Sequence, residues 1–399
     1  ECMSDINLSD RVQRIKPSPT LAVTARAAAL RAAGQDIIGL GAGEPDFDTP
    51  QHIKQAAIDA INAGKTKYTA VDGTVELKKA IINKLKKDNQ LDYQLDQILV
   101  SCGGKQSFFN LAQAFLNDGD EVVILAPYWV SYPDMSLLAG GVPVIVTAGQ
   151  DQAFKVSPEQ LEAAITDKTK IVVINSPSNP SGKAYTRAEL VALGAVLKKH
   201  PDILIATDDM YEHILWGDES FCNIVMACPE LYDQTMVLNG VSKAYSMTGW
   251  RIGYAAGPAG LIKAMKNIQS QSTSNPTSIS QFAAQAALEG DQSCIGEMLV
   301  AFKERHDYVV EKLNTIDGIS CIPSDGTFYC FPDFNGVINR MDSINNDIDL
   351  AEYIIEKAGV ALVPGSAFGL DGHMRISIAT GMDNLVSALD RIETLLNNN

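Results

Sequence analysis

Basic charge is scarce in this chain. Thirty-two Lys and Arg stand against 48 Asp and Glu, a formal net charge of −16 over 399 residues. That balance excludes nucleic acid and anionic membrane as expected partners. Histidine is rarer still. There are five, none in ligand spacing, so no metal site is expected. The seven cysteines are odd in number and include no Cys-x-x-Cys pair, which excludes a disulfide framework or a zinc ribbon. A reducing, cytoplasmic compartment with inert thiols is the expectation. No apolar run approaches the ~18–20 residues of a membrane span. The start carries no signal-peptide pattern, and Glu1-Cys2 ahead of Met3 is set aside from fold reasoning. Internal repeats and low-complexity tracts are absent as well.

What is present is the composition of a globular protein, 46% hydrophobic and 20% charged. At this length two domains are expected. Lys16-Pro-Ser-Pro-Thr20 predicts an extended entry, and residues 22–33 an alanine-rich helix. Residues 52–63, 76–87, 106–116, 279–289, a stretch ending near 313, and 383–396 carry helical patterns. Short Val/Ile-rich runs predict strands at 97–101, 121–125, 142–146, 171–174, 203–207, 236–238 and 252–255, most of them buried on both faces. Their alternation with helices predicts a largely parallel α/β sheet. Runs at 319–322, 327–331, 360–363 and 374–378 predict a smaller mixed sheet.

The chain is organised around Asn239-Gly-Val-Ser-Lys243-Ala-Tyr-Ser-Met-Thr-Gly-Trp-Arg251. Lys243 follows a strand, Thr235-Met-Val-Leu238, that reads as buried. An ammonium there is expensive unless neutralised or bonded. An imine with an aldehyde removes that cost and creates chemistry. Gly240, Ser242 and Ser246 leave room for a bulky group, and Arg251 offers a fork of donors to a phosphate.

Four further signals follow strand ends, where open α/β sheets bind ligands. Ser101-Cys-Gly103-Gly104-Lys105 opens a helix and makes an anion site. Trp129, after Pro127-Tyr, can cover a planar ring. Asn175-Ser-Pro-Ser-Asn179-Pro180-Ser-Gly182 is a rigid turn that presents Asn179. Thr207-Asp208-Asp209-Met-Tyr211 places a carboxylate at a strand end; Asp209 reads as the cap of a following helix. Gly41-Ala-Gly43-Glu-Pro-Asp-Phe-Asp-Thr-Pro50 allows close backbone approach to a ligand.

These motifs resemble the fold-type I (class I) aminotransferases, from about Lys16 to Thr380. The resemblance is closest to the bacterial aspartate and aspartate/prephenate branch that carries Lys-Pro-Ser, Gly-Glu-Pro-Asp-Phe-Asp-Thr-Pro and Met-Thr-Gly-Trp-Arg. It implies an α/β large domain at 51–304 with a mostly parallel seven-stranded sheet. A smaller α+β domain would be formed by 16–50 and 305–399, with an N-terminal arm at 1–15. It implies pyridoxal 5'-phosphate as cofactor, small amino and 2-oxo acids as substrates, and a homodimer with composite sites. Lys243 would be the Schiff-base lysine, and Asp208 the partner of the pyridine nitrogen. Tyr211 and Asn179 would bond the ring oxygen, and Trp129 would stack. Gly103, Gly104, Lys105 and Arg251 would hold the phosphate, and Tyr68 would reach the neighbouring subunit's. Arg375, with Gly43, would clamp the substrate α-carboxylate. Cis bonds are implied at Ala126-Pro127 and Asn179-Pro180.

Two departures stand out. Gly240 sits where some members carry a phosphate-binding serine, leaving Ser242 to substitute. No arginine matches the distal-carboxylate residue of another branch. Lys105 is the candidate replacement, with Ser18, Thr20 and Lys16 nearby. Aromatic or alanine-type specificity, a lyase on the same fold, and a ligand-sensing domain remain alternative readings.

Overall fold

The computed structural model of the chain describes residues 6–398. The first five residues of the expected arm, with the Glu1-Cys2-Met3 start, and residue 399 lie outside them. The strands are β1 (Ile38–Gly39), β2 (Ile98–Ser101), β3 (Glu121–Ala126), β4 (Val142–Thr147), β5 (Thr169–Asn175), β6 (Leu204–Asp208), β7 (Thr235–Gly240), β8 (Gly253–Ala256), β9 (Tyr329–Cys330), β10 (Val360–Ala361), β11 (Val363–Pro364) and β12 (Met374–Ser377). The helices used below are α1 (Asp10–Gln13), α2 (Pro19–Ala32), α3 (Gln51–Asn62), α4 (Val75–Asn89), α5 (Gly104–Phe115) and α6 (Ser131–Leu138).

Seven strands form the main sheet in the order β2-β8-β7-β6-β5-β3-β4. Only β8 runs against its neighbours. Side chains alternate between two apolar layers, as the period of two requires. Val100, Val123, Val172, Ile205 and Val237 enter one core with α3 and α4. Leu99, Ile124, Val173, Leu204 and Leu238 enter the other with α5. Burial on both faces explains the continuous Val/Ile runs. The exception is β4, the sheet edge, which leaves Val142 and Ile145 exposed.

A separate core joins both ends of the sequence. Ile38 and Leu40 pack with Phe302, Val309, Phe328, Leu350, Ile376, Leu385 and Ile392. Its strands are an antiparallel β11-β12-β9 sheet and a parallel β1-β10 pair. The expected strand at 319–322 is not one; Ser320 makes a single bridge to Asp333. The side chain of Asn314 takes both the N–H and the carbonyl of Cys321, so those groups leave the ladder. The extended entry also ends earlier than expected. Ser18 caps α2 through Leu21 N–H at 3.4 Å and Pro19 occupies its first turn, a position where a missing N–H is harmless. Thr20 is therefore helical. Among the described residues no helix is long and apolar enough to cross a membrane.

Candidate active site

The register of the main sheet brings the predicted strand ends to one level. Asn175 pairs with Asp208, Asp208 with Leu238, and Gly240 with Gly253, which in turn faces Ser101. The turns that follow surround a cavity of about 480 Å³. Gly43, Gly104, Lys105, Trp129, Asn179, Asp208, Tyr211, Ser242, Lys243, Arg251 and Arg375 all line it, with Ser18 and Thr20 from the start of α2. Gly103, Lys16 and Tyr68 do not. Lys16 is exposed, and Tyr68 is 91% exposed. The Ala126-Pro127, Ser176-Pro177 and Asn179-Pro180 bonds are cis.

Lys243 is the centre. Its Nζ donates to the Gly43 carbonyl and lies 5.9 Å from the Tyr211 ring and 5.8 Å from that of Phe328. Burial, and then Arg375, push its amine down to about 8, so a neutral nucleophile is accessible near neutral pH. Asp208 accepts from Tyr132 Oη at 2.5 Å and from Met210 N–H at 3.2 Å, both neutral donors. Burial raises its carboxyl against the pull of those bonds and of Lys243. Asp209 does not cap a helix, because the chain enters turns after it. It is buried, accepting from Thr207 Oγ1 at 2.8 Å and Asn223 Nδ2 at 2.8 Å.

Arg375 on β12 reaches in from the second core, only 2% exposed. Its guanidinium donates to Asn179 Oδ1 at 2.9 Å and Gly41 O at 2.8 Å and stacks 4.4 Å from the Tyr329 ring. Its Nε has no partner, and neither has the buried Oγ1 of Thr20. Buried donors of that kind imply a missing acceptor. Lys105 lies 5.4 Å from the Trp129 ring. Burial, and then Arg251, lower its pKa.

The loop before α5 is shaped as an anion cradle. Gly103 has φ 83°, and the place of its absent Cβ is taken by the Arg251 guanidinium. Arg251 itself holds the left-handed conformation, φ 57°, and donates to Thr248 O at 2.9 Å. The helix start thus faces the cavity with free N–H groups, a guanidinium and Ser242 around it. At Gly240 a Cβ would lie 3.0 Å from Gly253 Cα, Ile252 O and Met210 Cε. The missing serine is therefore a matter of space. The donors fit a phosphate, and buried Asp208 fits a protonated ring nitrogen.

Among the lining residues that the sequence reading does not single out are Tyr132, Asn175 and Tyr329. Tyr132 sits three residues after Trp129 and contacts its ring edge at 5.1 Å. Asn175 ends β5 and donates to Asp208 O at 3.1 Å while accepting from Asn179 N–H. Tyr329 shares a 3.0 Å hydroxyl contact with Tyr211. Asn175 had a signal, a polar residue closing an apolar strand. Tyr329 belongs to a distant segment and had none.

Residues 35–392 match the family model for aminotransferase class I and II. The chain is 62% identical to an aspartate/prephenate aminotransferase of Nitrosomonas europaea, over 98% of this chain and 100% of that protein. It is 56% identical to the one from Cereibacter sphaeroides, over 97% and 98%. Among solved structures, an aspartate aminotransferase from Rhizobium meliloti superposes with TM-score 0.95 at 49% identity, over 98% of this chain and 99% of that one. The Thermus thermophilus aspartate aminotransferase with maleate gives 0.92 at 42%, over 98% and 100%.

Proposed function

The chain belongs to the class I and II aminotransferases, and from that premise we propose that it moves amino groups between aspartate or glutamate and 2-oxo acids, prephenate among the acceptors. Pyridoxal 5'-phosphate is the cofactor the family implies, and a cytoplasmic homodimer is the proposed working form. One observation carries this reading: Lys243, Asp208 and Arg375 converge on one cavity, the first with a depressed amine and the last with an unpartnered donor.

Gly103, Gly104, Ser242 and Arg251 would hold the phosphate, Trp129 the ring face, Asn179 and Tyr211 the ring oxygen, and Asp208 the ring nitrogen. Bound there, pyridoxal phosphate supplies an electron sink for charge developing at the substrate Cα. Arg375 holds the α-carboxylate by its fork, so the substrate keeps that group and transamination is favoured over decarboxylation. Lys243 Nζ, close and partly neutral, takes and returns the Cα proton. Tyr132 and the Met210 N–H donate to Asp208 and oppose the upward push of burial on its carboxyl. Lys105, Ser18 and Thr20 offer donors to the second carboxylate, consistent with the 50–62% identical relatives named for aspartate and prephenate and with the maleate in the Thermus structure's name. Tyr68, fully outside this cavity, is proposed to complete the partner's site.

The test is kcat/KM with aspartate, glutamate, alanine and phenylalanine as donors and prephenate as acceptor. Aspartate, glutamate and prephenate should lead. A preference for alanine or phenylalanine overturns the assigned specificity, and ammonia release without consumption of a 2-oxo acid points to a lyase.

A further inference from the structure

We infer that a buried Lys84–Glu212–Asn239 network, outside the cavity, is a positioning device that holds the turn carrying Lys243 against the turn carrying Asp208 and Tyr211. Glu212 follows Tyr211 directly, and Asn239 lies four residues before Lys243. Backbone pairing of β6 with β7 stops at Asp208 and Leu238, with one more bond from Asp209 N–H to Leu238 O at 2.8 Å. Beyond that point a side-chain bond continues the connection. Asn239 Nδ2 donates to Glu212 Oε1 at 2.7 Å, while Asn239 Oδ1 accepts from Gly240 N–H at 2.8 Å. Asn239 thus fixes the first residue of the lysine turn and ties it to Glu212.

Glu212 is anchored in its own right. Lys84 Nζ on α4 bonds Glu212 Oε1 and, at 2.6 Å, Asn89 Oδ1; Asn89 Nδ2 donates to Glu212 Oε2 at 3.0 Å. All four residues are at most 8% exposed. None lines the cavity. A buried ion pair is seldom better for stability than apolar residues of the same volume, and its best-attested use is to fix registry. Here the registry fixed is that of the two turns the reaction uses.

The inference rests on Lys243 being the reactive amine, so the experiment separates the two. Asn239→Ala leaves the ion pair in place. In the enzyme loaded with pyridoxal phosphate, kcat should fall about 10- to 100-fold, the scale of a misplaced reacting group. KM for aspartate should hardly move, because Arg375 and Lys105 are untouched. In the cofactor-free protein, acetic anhydride labelling of Lys243, followed by peptide mass spectrometry across pH, should give a midpoint above that of the wild-type protein labelled in parallel, since a loosened turn admits water. Glu212→Leu alone should lower Tm, because it leaves Lys84 buried without its carboxylate, and adding Lys84→Met should restore most of it, while kcat and the midpoint stay shifted as in Asn239→Ala because Asn239 has lost its acceptor. A wild-type kcat and midpoint in Asn239→Ala, with Tm alone reduced, overturns the positioning role whether or not the double variant folds. Turnover that survives in Lys243→Ala would instead overturn the role of Lys243, and the labelling midpoint would still decide the network's.

Discussion

Two groups of buried charge share the short segment from Asp208 to Glu212, and they are finished to different degrees. Burial pushes both carboxyls upward. At Glu212, Lys84, His213 and Asn89 overcome that and hold it below its ordinary value. At Asp208 two neutral donors and Lys243 do not, and it stays raised. Lys243 donates to a backbone carbonyl, and Arg375 keeps an unpartnered Nε. The network away from the cavity is complete within the chain. The one facing the cavity is complete only when something enters it, which is how a site stores affinity for a ligand.

The contrast breaks most sharply at Lys243. Lys243→Ala should reduce kcat by roughly 10⁴-fold or more, because one amine both joins the cofactor and moves the Cα proton. Noncovalent cofactor binding should remain visible by absorbance. Rates near wild type would end the proposed mechanism.

The two adjacent aspartates sharpen it next. Asp208→Asn should lower kcat by roughly 10²–10³-fold, the loss expected when a preorganised charge is removed from an active site, with little change in Tm. Asp209→Asn should do the opposite, since Asp209 serves Thr207 and Asn223 and not the cavity. Thermal melts beside steady-state rates decide it. If Asp209→Asn damages turnover and Asp208→Asn does not, the wrong carboxylate has been assigned.

The same contrast explains what the sequence revealed. Lys243, Asp208, Asn179, Trp129 and Gly103-Gly104 each follow a buried strand by a few residues, so the apolar run points to them. Main-sheet strands were legible for the same reason: burial on both faces writes a continuous Val/Ile signal. The short strands of the second core were less so, because β9 to β12 rely on side-chain contacts across distant segments, and Asn314 diverts the backbone at Cys321. Ser18 and Pro19 sit in a proline-stiffened stretch that predicts an extended entry, although Ser-Pro is also a helix start. Lys84 had a faint mark. It falls on the helix stripe of Leu77, Ile81 and Leu85, where a charge is out of place, but its partner Glu212, in the turn after β6, follows only from the fold.

Smaller effects are expected where a cavity residue meets only one kind of substrate. Lys105 lies against the Trp129 ring with its pKa lowered by burial. Lys105→Ala should cost dicarboxylic substrates roughly 1.5–3 kcal/mol more in kcat/KM than monocarboxylic ones, the value of a lost charged hydrogen bond. Equal losses for aspartate and alanine would assign Lys105 to the phosphate alone.

The smallest effect is a gain. An unfinished site holds Lys243 at a cost to the cofactor-free protein. Its pKa falls from 10.5 to about 8 on folding, which corresponds to at most about 3 kcal/mol. Losing the bond to the Gly43 carbonyl takes back part, so Lys243→Met should stabilise the cofactor-free protein by about 1–2 kcal/mol at pH 7. The pH dependence has a fixed sign. Below about 8 the lysine is charged in both states and the folded state bears the full penalty. Between about 8 and 10.5 the unfolded chain binds more protons, so wild-type stability rises with pH through that window and the variant's advantage shrinks. Urea unfolding of both proteins without cofactor, at pH 7 and at about pH 10, measures this directly. An advantage of equal size at both pH values would mean that the gain comes from packing and that the amine is not held in an unfavourable state.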